Sequence, residues 1–435
     1  MSGLRFASSR GGAPLVSLSQ AISQGLAPDG GLYLPTHLPK FDAATPNQDA
    51  ALAQIARHSL AGFFVGDGMA PLLGEIADAS LDLVAPTTPV AASSNPLFVL
   101  ELFHGPTAAF KDFGARFLAE ALQRLNQNVS SPLTILVATS GDTGGAVAAA
   151  FHRRTWARVV ILFPRGQVSP RQEQQLTCWG ENVTSLRVDG SFDDCQRLVK
   201  EAFTDPGLNR QHRFSSANSI NIGRLLPQMV YYVASSLQIT ADTGAKPSYI
   251  IPAGNLGNAF AALWARALGS PIGRIILAHN ANRTVPDFLQ TGQWQPRPSI
   301  ATLASAMDVG DPSNMERVRA LYPSISELRE QLSAQSIDDA TIRARIGGDF
   351  MQYGREWCPH TATAAEVYGR LSERERAEHP WVLVATAHPA KFNEIVEPLI
   401  GKKVQIPESL ARLLRLPQQV SDLAPDLRAL GAAIA

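Results

Sequence analysis

The chain has little cysteine, little charge and no excess of either sign. Its three cysteines, Cys178, Cys195 and Cys358, are scattered and odd in number, with no C-x-x-C pair. That excludes a disulfide framework and points to reduced thiols in a cytoplasmic protein. Lys+Arg and Asp+Glu each number 38, charged residues make up 17% of the chain, and the net charge is zero. A nucleic-acid or polyanion binder needs a basic excess, so no such partner is expected. No window reaches a membrane-spanning apolar run, and the N-terminus lacks a charged-then-apolar export pattern, so no membrane partner is expected. There is no repeat and no low-complexity tract. H-E-x-x-H, Cys/His zinc spacing and a G-x-S-x-G elbow are all missing, and the nine histidines form no close ligand pair. No metal is therefore expected. The P-loop and the G-x-G-x-x-G fingerprint are missing too, which weakens any nucleotide-dependent reading.

What is present is a large apolar fraction, 45% of 435 residues, enough for two or more domains. Residues 1 to about 90 read as an α-rich segment, with a helix starting at Ser17 and others over Asp49–Leu60 and near Ala70–Ala79. Ala85–Pro96 reads as a linker. Strands and helices then alternate. Leu97–Leu102, Leu133–Ala138, Val159–Phe163, Val183–Val188, Tyr249–Pro252, Arg274–His279 and Trp381–Thr386 are apolar runs of strand length. Helices are expected after Lys111, from Gly145, from a Ser169 capping box, from Ser191, over Leu225–Leu237 and over Ala259–Leu268. Continuous apolar strands separated by helices predict mainly parallel sheets covered on both faces. Residues 281–375 are richer in charge and read as irregular helices with long loops.

In open α/β sheets ligands bind beyond the carboxyl ends of strands. Four loops lie there. In His104-Gly-Pro-Thr-Ala-Ala-Phe-Lys-Asp-Phe-Gly114, Lys111 sits at a helix N-terminus, where the helix dipole disfavours its charge. Two readings stand: a lysine that snorkels to solvent, or one held as a free amine for Schiff-base chemistry. Thr139-Ser-Gly-Asp-Thr-Gly-Gly145 offers two threonines, a serine and free amides to a carboxylate or phosphate, or merely a tight bend. Pro252-Ala-Gly-Asn-Leu-Gly-Asn258 can close several N–H groups around a phosphate without a cation. Ala385-Thr-Ala-His-Pro-Ala-Lys-Phe392 presents Thr386, whose hydroxyl suits a heteroaromatic nitrogen or simply a backbone partner.

Together these loops resemble the fold-type II enzymes dependent on pyridoxal 5'-phosphate (PLP). Gly25-Leu-Ala-Pro-Asp-Gly-Gly-Leu-Tyr-Leu-Pro35, Phe103–Asp112, Thr139–Gly144, Asn218-Ser-Ile-Asn221, Gly254–Gly257, Cys358-Pro-His-Thr361 and Thr386–Phe392 occur in the order found in the threonine synthase family, in its longer branch. The resemblance implies two α/β domains with mainly parallel sheets flanking a cofactor cleft, plus an α-rich N-terminal domain. The expected segments are 1–95, 96–245 and 246–435, the last with an insert at 281–375 and the middle one open to a discontinuous subdomain. It implies a lyase that converts O-phospho-L-homoserine and water to L-threonine and phosphate by β,γ-elimination and replacement. A phospho-lyase, a serine/threonine dehydratase and a non-catalytic metabolite-binding relative remain as alternatives on the same fold. By the same resemblance Lys111 carries PLP, Gly254, Asn255, Leu256, Gly257 and Asn258 hold its phosphate, and Thr386 faces its ring nitrogen. Ser140, Asp142 and Thr143 lie near the substrate's carboxylate and phosphate, although a carboxylate at Asp142 would repel the cofactor's ring oxygen unless protonated or turned away. Asn218, Ser219 and Arg224 resemble substrate-phosphate contacts, and the protein is expected as a monomer or weak homodimer.

Overall fold

The computed structural model describes residues 3–39, 50–90, 96–127, 129 and 131–435. Two sheets organise these residues. Leu133–Ala138, Ala157–Pro164 and Val183–Val188 pair in parallel as the middle of a five-stranded sheet. Ser421–Leu423 joins one edge of it and Arg213–Ser216 the other, both in parallel. All six residues of Leu133–Ala138 are buried, as strands covered on both faces require.

The second sheet has six strands, in the order Ser333–Ser336, Ile275–His279, Ser248–Pro252, Trp381–Ala385, Leu97–Glu101, Thr87–Pro89. All its pairings are parallel except the last. The sheets cut across the linear segments 96–245 and 246–435. Leu97–Glu101, which precedes the lysine turn, pairs with Trp381–Ala385, whereas residues 133–216 build the other sheet and recruit Ser421–Leu423 to it.

The expected linker over 85–96 holds a strand instead, Thr87–Pro89, antiparallel to Leu97–Glu101. Two β-branched threonines favour it, and its terminal proline is tolerated because this is an edge. Residues 91–95 of that linker lie outside the described residues, as does Asp49 of the expected helix, which runs Leu52–Ser59. The N-terminal segment is helical as expected but also contains a short antiparallel pair, Phe6–Ser8 with Tyr33–Pro35. Ser17, Ser169 and Ser191 cap their helices as the sequence predicts, each with a capping box. Within 281–375 the structure is more regular than expected. Asp339–Tyr353 and Pro359–Gly369 are full helices, and Ser333–Ser336 forms a sheet edge.

The longest helix, Ile222–Thr243, packs against Lys111–Leu125, Gly257–Ala267 and Leu52–Ser59. It thereby ties the N-terminal segment to two of the helices that begin at the strand ends.

Candidate active site

A cavity of about 750 Å³ opens at the carboxyl ends of both sheets. All thirteen residues singled out from the sequence line it: Lys111, Ser140, Asp142, Thr143, Asn218, Ser219, Arg224, Gly254, Asn255, Leu256, Gly257, Asn258 and Thr386. Several helices of ten or more residues start at its wall, among them those at Lys111, Asp142, Ile222 and Gly257. Those at Lys111, Asp142 and Gly257 have no side-chain cap. The Asp112 and Phe113 amides bond to backbone carbonyls and the Gly144 amide to Thr139, which leaves the amides at the very start of the Asp142 and Gly257 helices for a ligand. Their aligned dipoles make the cavity a place for anions.

The Lys111 turn is pinned to the Thr386 turn by backbone. The Phe110 amide donates to the Thr386 carbonyl at 2.9 Å, and the His388 amide to that of Ala108 at 3.0 Å. Lys111 is mostly buried, with its ammonium 5.1 Å from the centre of the Phe110 ring. Burial pushes its pKa down to about 8; Lys391 and Arg224 push the same way and Asp142 opposes them. The snorkelling reading is therefore set aside. The Thr386 hydroxyl has no protein partner among the described residues.

Gly141, at φ 134°, begins the second loop, and a Cβ there would lie 2.6 Å from the Gln172 amide nitrogen. The Thr139 hydroxyl accepts from the Gly141 and Gly144 amides and fixes the bend. The carboxylate of Asp142 is turned toward Lys391, 2.8 Å from its Nζ, and accepts from Gln172 at 3.0 Å. Burial alone would raise its pKa, but Lys391 and Lys111 outweigh that and hold it well below the usual carboxylate range. Asp142 is ionised and engaged, which answers the doubt the sequence raises about it.

In the third loop Leu256 adopts a left-handed conformation, φ 62°, with its side chain buried in the core. Such backbone strain in a non-glycine residue is held by its surroundings, here to aim successive amides into the cavity. The amides of Gly254, Asn255 and Leu256 meet no acceptor among the described residues. Asn255 donates to the Ser219 hydroxyl at 2.7 Å, and Asn314 donates to the Asn255 carbonyl at 2.9 Å. The third loop and the Asn218–Asn221 turn thus form one network.

Arg224 is 2% exposed, donates to the Ala217 carbonyl, and leaves Nε without a partner. Burial pushes its pKa down to about 10, with Asp112 and Tyr231 opposing, so it stays a cation near neutrality. No carboxylate pairs with it among the described residues. Buried atoms of Asn218, Gln228 and Asn258 are likewise unpartnered: Oδ1, Oε1 and Nδ2 respectively. All four residues line the cavity. Buried polar atoms are seldom left so, and a cluster of them facing one space implies a polar ligand.

Several contributors carry no role in the sequence reading. Gln228 stands one turn beyond Arg224 on the same helix face, and that i, i+4 spacing is the signal that could have found it. Its Nε2 donates to the Arg224 carbonyl at 2.8 Å, so its free Oε1 is an acceptor. His360 accepts from the Ala306 amide through Nε2 at 3.1 Å, which puts its proton on the unpartnered Nδ1. Burial pushes its pKa down to about 4, so it is neutral. Lys391 lies in a quoted motif, but nothing in the sequence says that it meets Asp142.

Comparison with known proteins now adds to this geometry. A family model described as pyridoxal-phosphate dependent enzyme matches residues 84–387. Models of the threonine synthase N terminus and C-terminal part match residues 5–80 and 361–434. Threonine synthase of Escherichia coli strain K12 is 41% identical over 418 residues, 95% of each chain. The chain belongs to the threonine synthase family. The crystal structure of threonine synthase from Escherichia coli superposes with a TM-score of 0.88 at 38% identity, covering 99% of both chains. PLP-bound threonine synthase from Brucella melitensis superposes at 0.89 with 33% identity, again over 99% of both.

The fold is accordingly that of fold-type II PLP enzymes, and the cofactor of this threonine synthase family member is PLP. The residues fit that group. A cofactor phosphate matches the open amides of the left-handed cup, an aldehyde matches Lys111, whose proton is held less tightly than an ordinary lysine's, and a ring nitrogen matches the free Thr386 hydroxyl.

Proposed function

We propose that this cavity is where the chain, a PLP-dependent lyase, makes L-threonine and phosphate from O-phospho-L-homoserine and water. The observation that carries the reading is Arg224, a buried guanidinium with no carboxylate partner among the described residues and a free Nε. A buried guanidinium with an N–H left unbonded is suited to receive an anion from outside the chain. It lies on a different helix from the amide cup at 254–258, so the cavity offers two anion positions. One suits the cofactor's phosphate and the other the substrate's. A serine/threonine dehydratase has no use for the second.

Lys111 links to the cofactor, the amides of Gly254, Asn255, Leu256, Gly257 and Asn258 hold its phosphate, and Thr386 faces its ring nitrogen. PLP, when bound, supplies an electrophilic carbon for the substrate's amine and a conjugated ring that weakens the bonds at Cα. Ser140 and Thr143, at an uncapped helix start, hold the substrate carboxylate, and Asp142 stands beside them as a fixed charge paired to Lys391. Asn218, Ser219 and Arg224 hold the substrate phosphate. Arg224 suits a dianion through its fork of donors. Lys111, released as the substrate's amine takes its place, accepts the Cα proton. A Cβ proton then leaves, its bonding pair expels the phosphate from Cγ, Arg224 and Ser219 retain that phosphate while water adds at Cβ, and protons returned to Cγ and Cα complete the product.

Product analysis tests the reading. Threonine from O-phosphohomoserine supports it, and 2-oxobutyrate instead would make the chain a phospho-lyase. Arg224→Ala is expected to lower kcat/KM for that substrate by about 10²–10³-fold, the loss of charge-assisted bonds to a phosphate. Its PLP affinity should stay within a fewfold of wild type, and equal loss of both would sink the assignment. Balanced charge and three free, buried cysteines support cytoplasmic action on a small molecule rather than on nucleic acid.

A further inference from the structure

Lys391 is fully buried on the short turn Pro389–Phe392, and its amine has two partners. It donates to the Thr107 carbonyl at 2.8 Å and pairs with Asp142 Oδ1 at 2.8 Å. Thr107 is itself fixed, since its amide and hydroxyl donate to Asp112 at 2.9 and 2.6 Å. The other carboxylate oxygen of Asp142 is 3.8 Å from Lys111 Nζ, beyond hydrogen-bond reach. One carboxylate thus stands between two lysines and is hydrogen-bonded to the one that has no part in the chemistry.

We propose that Lys391 is a positioning residue whose ion pair with Asp142 makes Lys111 give up its proton more readily, by engaging the one carboxylate among the described residues placed to hold Lys111 as an ammonium. The proposal rests on the reading of Lys111 as the cofactor lysine.

The groups facing Lys111 come from four elements. They are Asp142 on Asp142–Phe151, Lys391 on Pro389–Phe392, Arg224 on Ile222–Thr243 and His360 on Pro359–Gly369. Asp112, on the helix of Lys111 itself, is turned to Thr107. His360 is neutral, so a protonated Lys111 would face two other cations, Lys391 and Arg224, with Asp142 as the opposing carboxylate. Burial makes that crowding costly, because charges interact strongly away from water. Without Lys391, Asp142 would have only Gln172 and Lys111 for partners, and Lys111 would keep its proton to higher pH. The consequence is chemical. A neutral Lys111 amine adds to the aldehyde carbon of PLP, and its two N–H protons leave with the aldehyde oxygen as water when the C=N bond closes. An ammonium has no lone pair with which to begin.

The test is the rate at which full-length chain stripped of cofactor takes up PLP as a borohydride-fixable adduct on Lys111, followed across pH. In wild type the rate should rise through a midpoint near that of Lys111. Lys391→Met should move the midpoint up by about one pH unit, which slows uptake at pH 7 about tenfold relative to wild type once each rate is scaled to its own high-pH plateau. Asp142→Asn should move it down, and Lys391→Arg should leave it in place. Lys391→Gln, which keeps a donor for the Thr107 carbonyl, stands in if the methionine variant does not fold. Damage that is merely structural lowers the plateau without moving midpoints in opposite directions. Opposite shifts support the proposal, and any other pattern overturns it. No adduct on Lys111 in wild type would instead overturn the reading on which it rests.

Discussion

Asn258 shows how a single residue is prepared for a ligand. Its Oδ1 accepts from the Tyr231 hydroxyl at 2.5 Å and from that of Tyr232 at 3.0 Å, all three groups buried. Two hydroxyl donors on one oxygen settle which way the amide points and leave Nδ2 directed elsewhere, unpartnered. Asn258→Ala strands two buried hydroxyls and should cost about 2–4 kcal/mol of stability. Tyr232→Phe removes one donor and leaves the other, so it should cost about 1 kcal/mol or less. Thermal unfolding of the two variants checks this, and equal shifts would mean that Asn258 is not pinned as described. At this scale the sequence is legible where a residue's role is local. Lys111, Gly254 and Leu256 announce themselves by their position between a strand and a helix. Lys391 does not, because its partners Thr107 and Asp142 lie 284 and 249 positions away and only the paired sheets bring them together.

Among the elements, the starts of the binding helices are the part the hydrophobic pattern reads late. Periodicity places them at Gly145, Leu225 and Ala259, whereas they begin at Asp142, Ile222 and Gly257. The first turn of each helix faces the cavity and carries polar residues and glycine, so the apolar repeat begins only once the helix turns to the core. In the two large sheets the strands missed are three- or four-residue edges, Thr87–Pro89, Arg213–Ser216, Ser333–Ser336 and Ser421–Leu423. Each pairs on one side only and carries little apolar pattern of its own. Element packing also explains one glycine. A Cβ on Gly114 would lie 2.6 Å from the Arg224 carbonyl and 2.8 Å from its Nε, where helix Lys111–Leu125 meets helix Ile222–Thr243. Gly114→Ala should cost about 1–3 kcal/mol by overpacking and raise KM for the phosphorylated substrate by displacing Arg224. Gly348→Ala, inside Asp339–Tyr353 with no atom within 4 Å of the new Cβ, should gain about 0.5–1 kcal/mol without changing KM. Paired melting and steady-state measurements separate the two glycines; a neutral Gly114→Ala would mean that the helices can part without moving Arg224.

For the whole molecule the question is what holds the N-terminal segment to the cup that receives the cofactor. Two arginine contacts on helix Met315–Leu321 do so beside the Ser9 hydroxyl, which donates to Glu316 at 2.6 Å, and the two differ in kind. The outer one is the Arg10–Glu316 ion pair at 2.7 Å, whose side chains are 54% and 35% exposed. The inner one is Arg317, 0% exposed, which donates to the carbonyls of Tyr33, Ile220 and Ser219 and to Asn314 Oδ1. Asn314 in turn donates to the Asn255 carbonyl, so one guanidinium reaches the N-terminal segment, the Asn218–Asn221 turn and the phosphate cup. Burial pushes its pKa down to about 9, with Glu316 opposing, so it remains charged at neutral pH with oxygen acceptors but no bonded carboxylate. Arg10→Ala should change stability by less than about 1 kcal/mol, since exposed pairs are screened by solvent. Arg317→Met takes the donor from four buried or partly buried oxygens and should cost about 3–5 kcal/mol. The damage should also be shared. Protease cleavage within residues 1–80 should accelerate and PLP affinity should fall together, because one residue fixes both. Limited proteolysis followed by mass spectrometry, run beside PLP titration, reads both effects on the same variant. If cleavage rises while PLP affinity is unchanged, the cup stands without Arg317 and the N-terminal segment is only an attachment. If both move in Arg317→Met and neither in Arg10→Ala, the N-terminal segment is part of the frame that shapes the cofactor site.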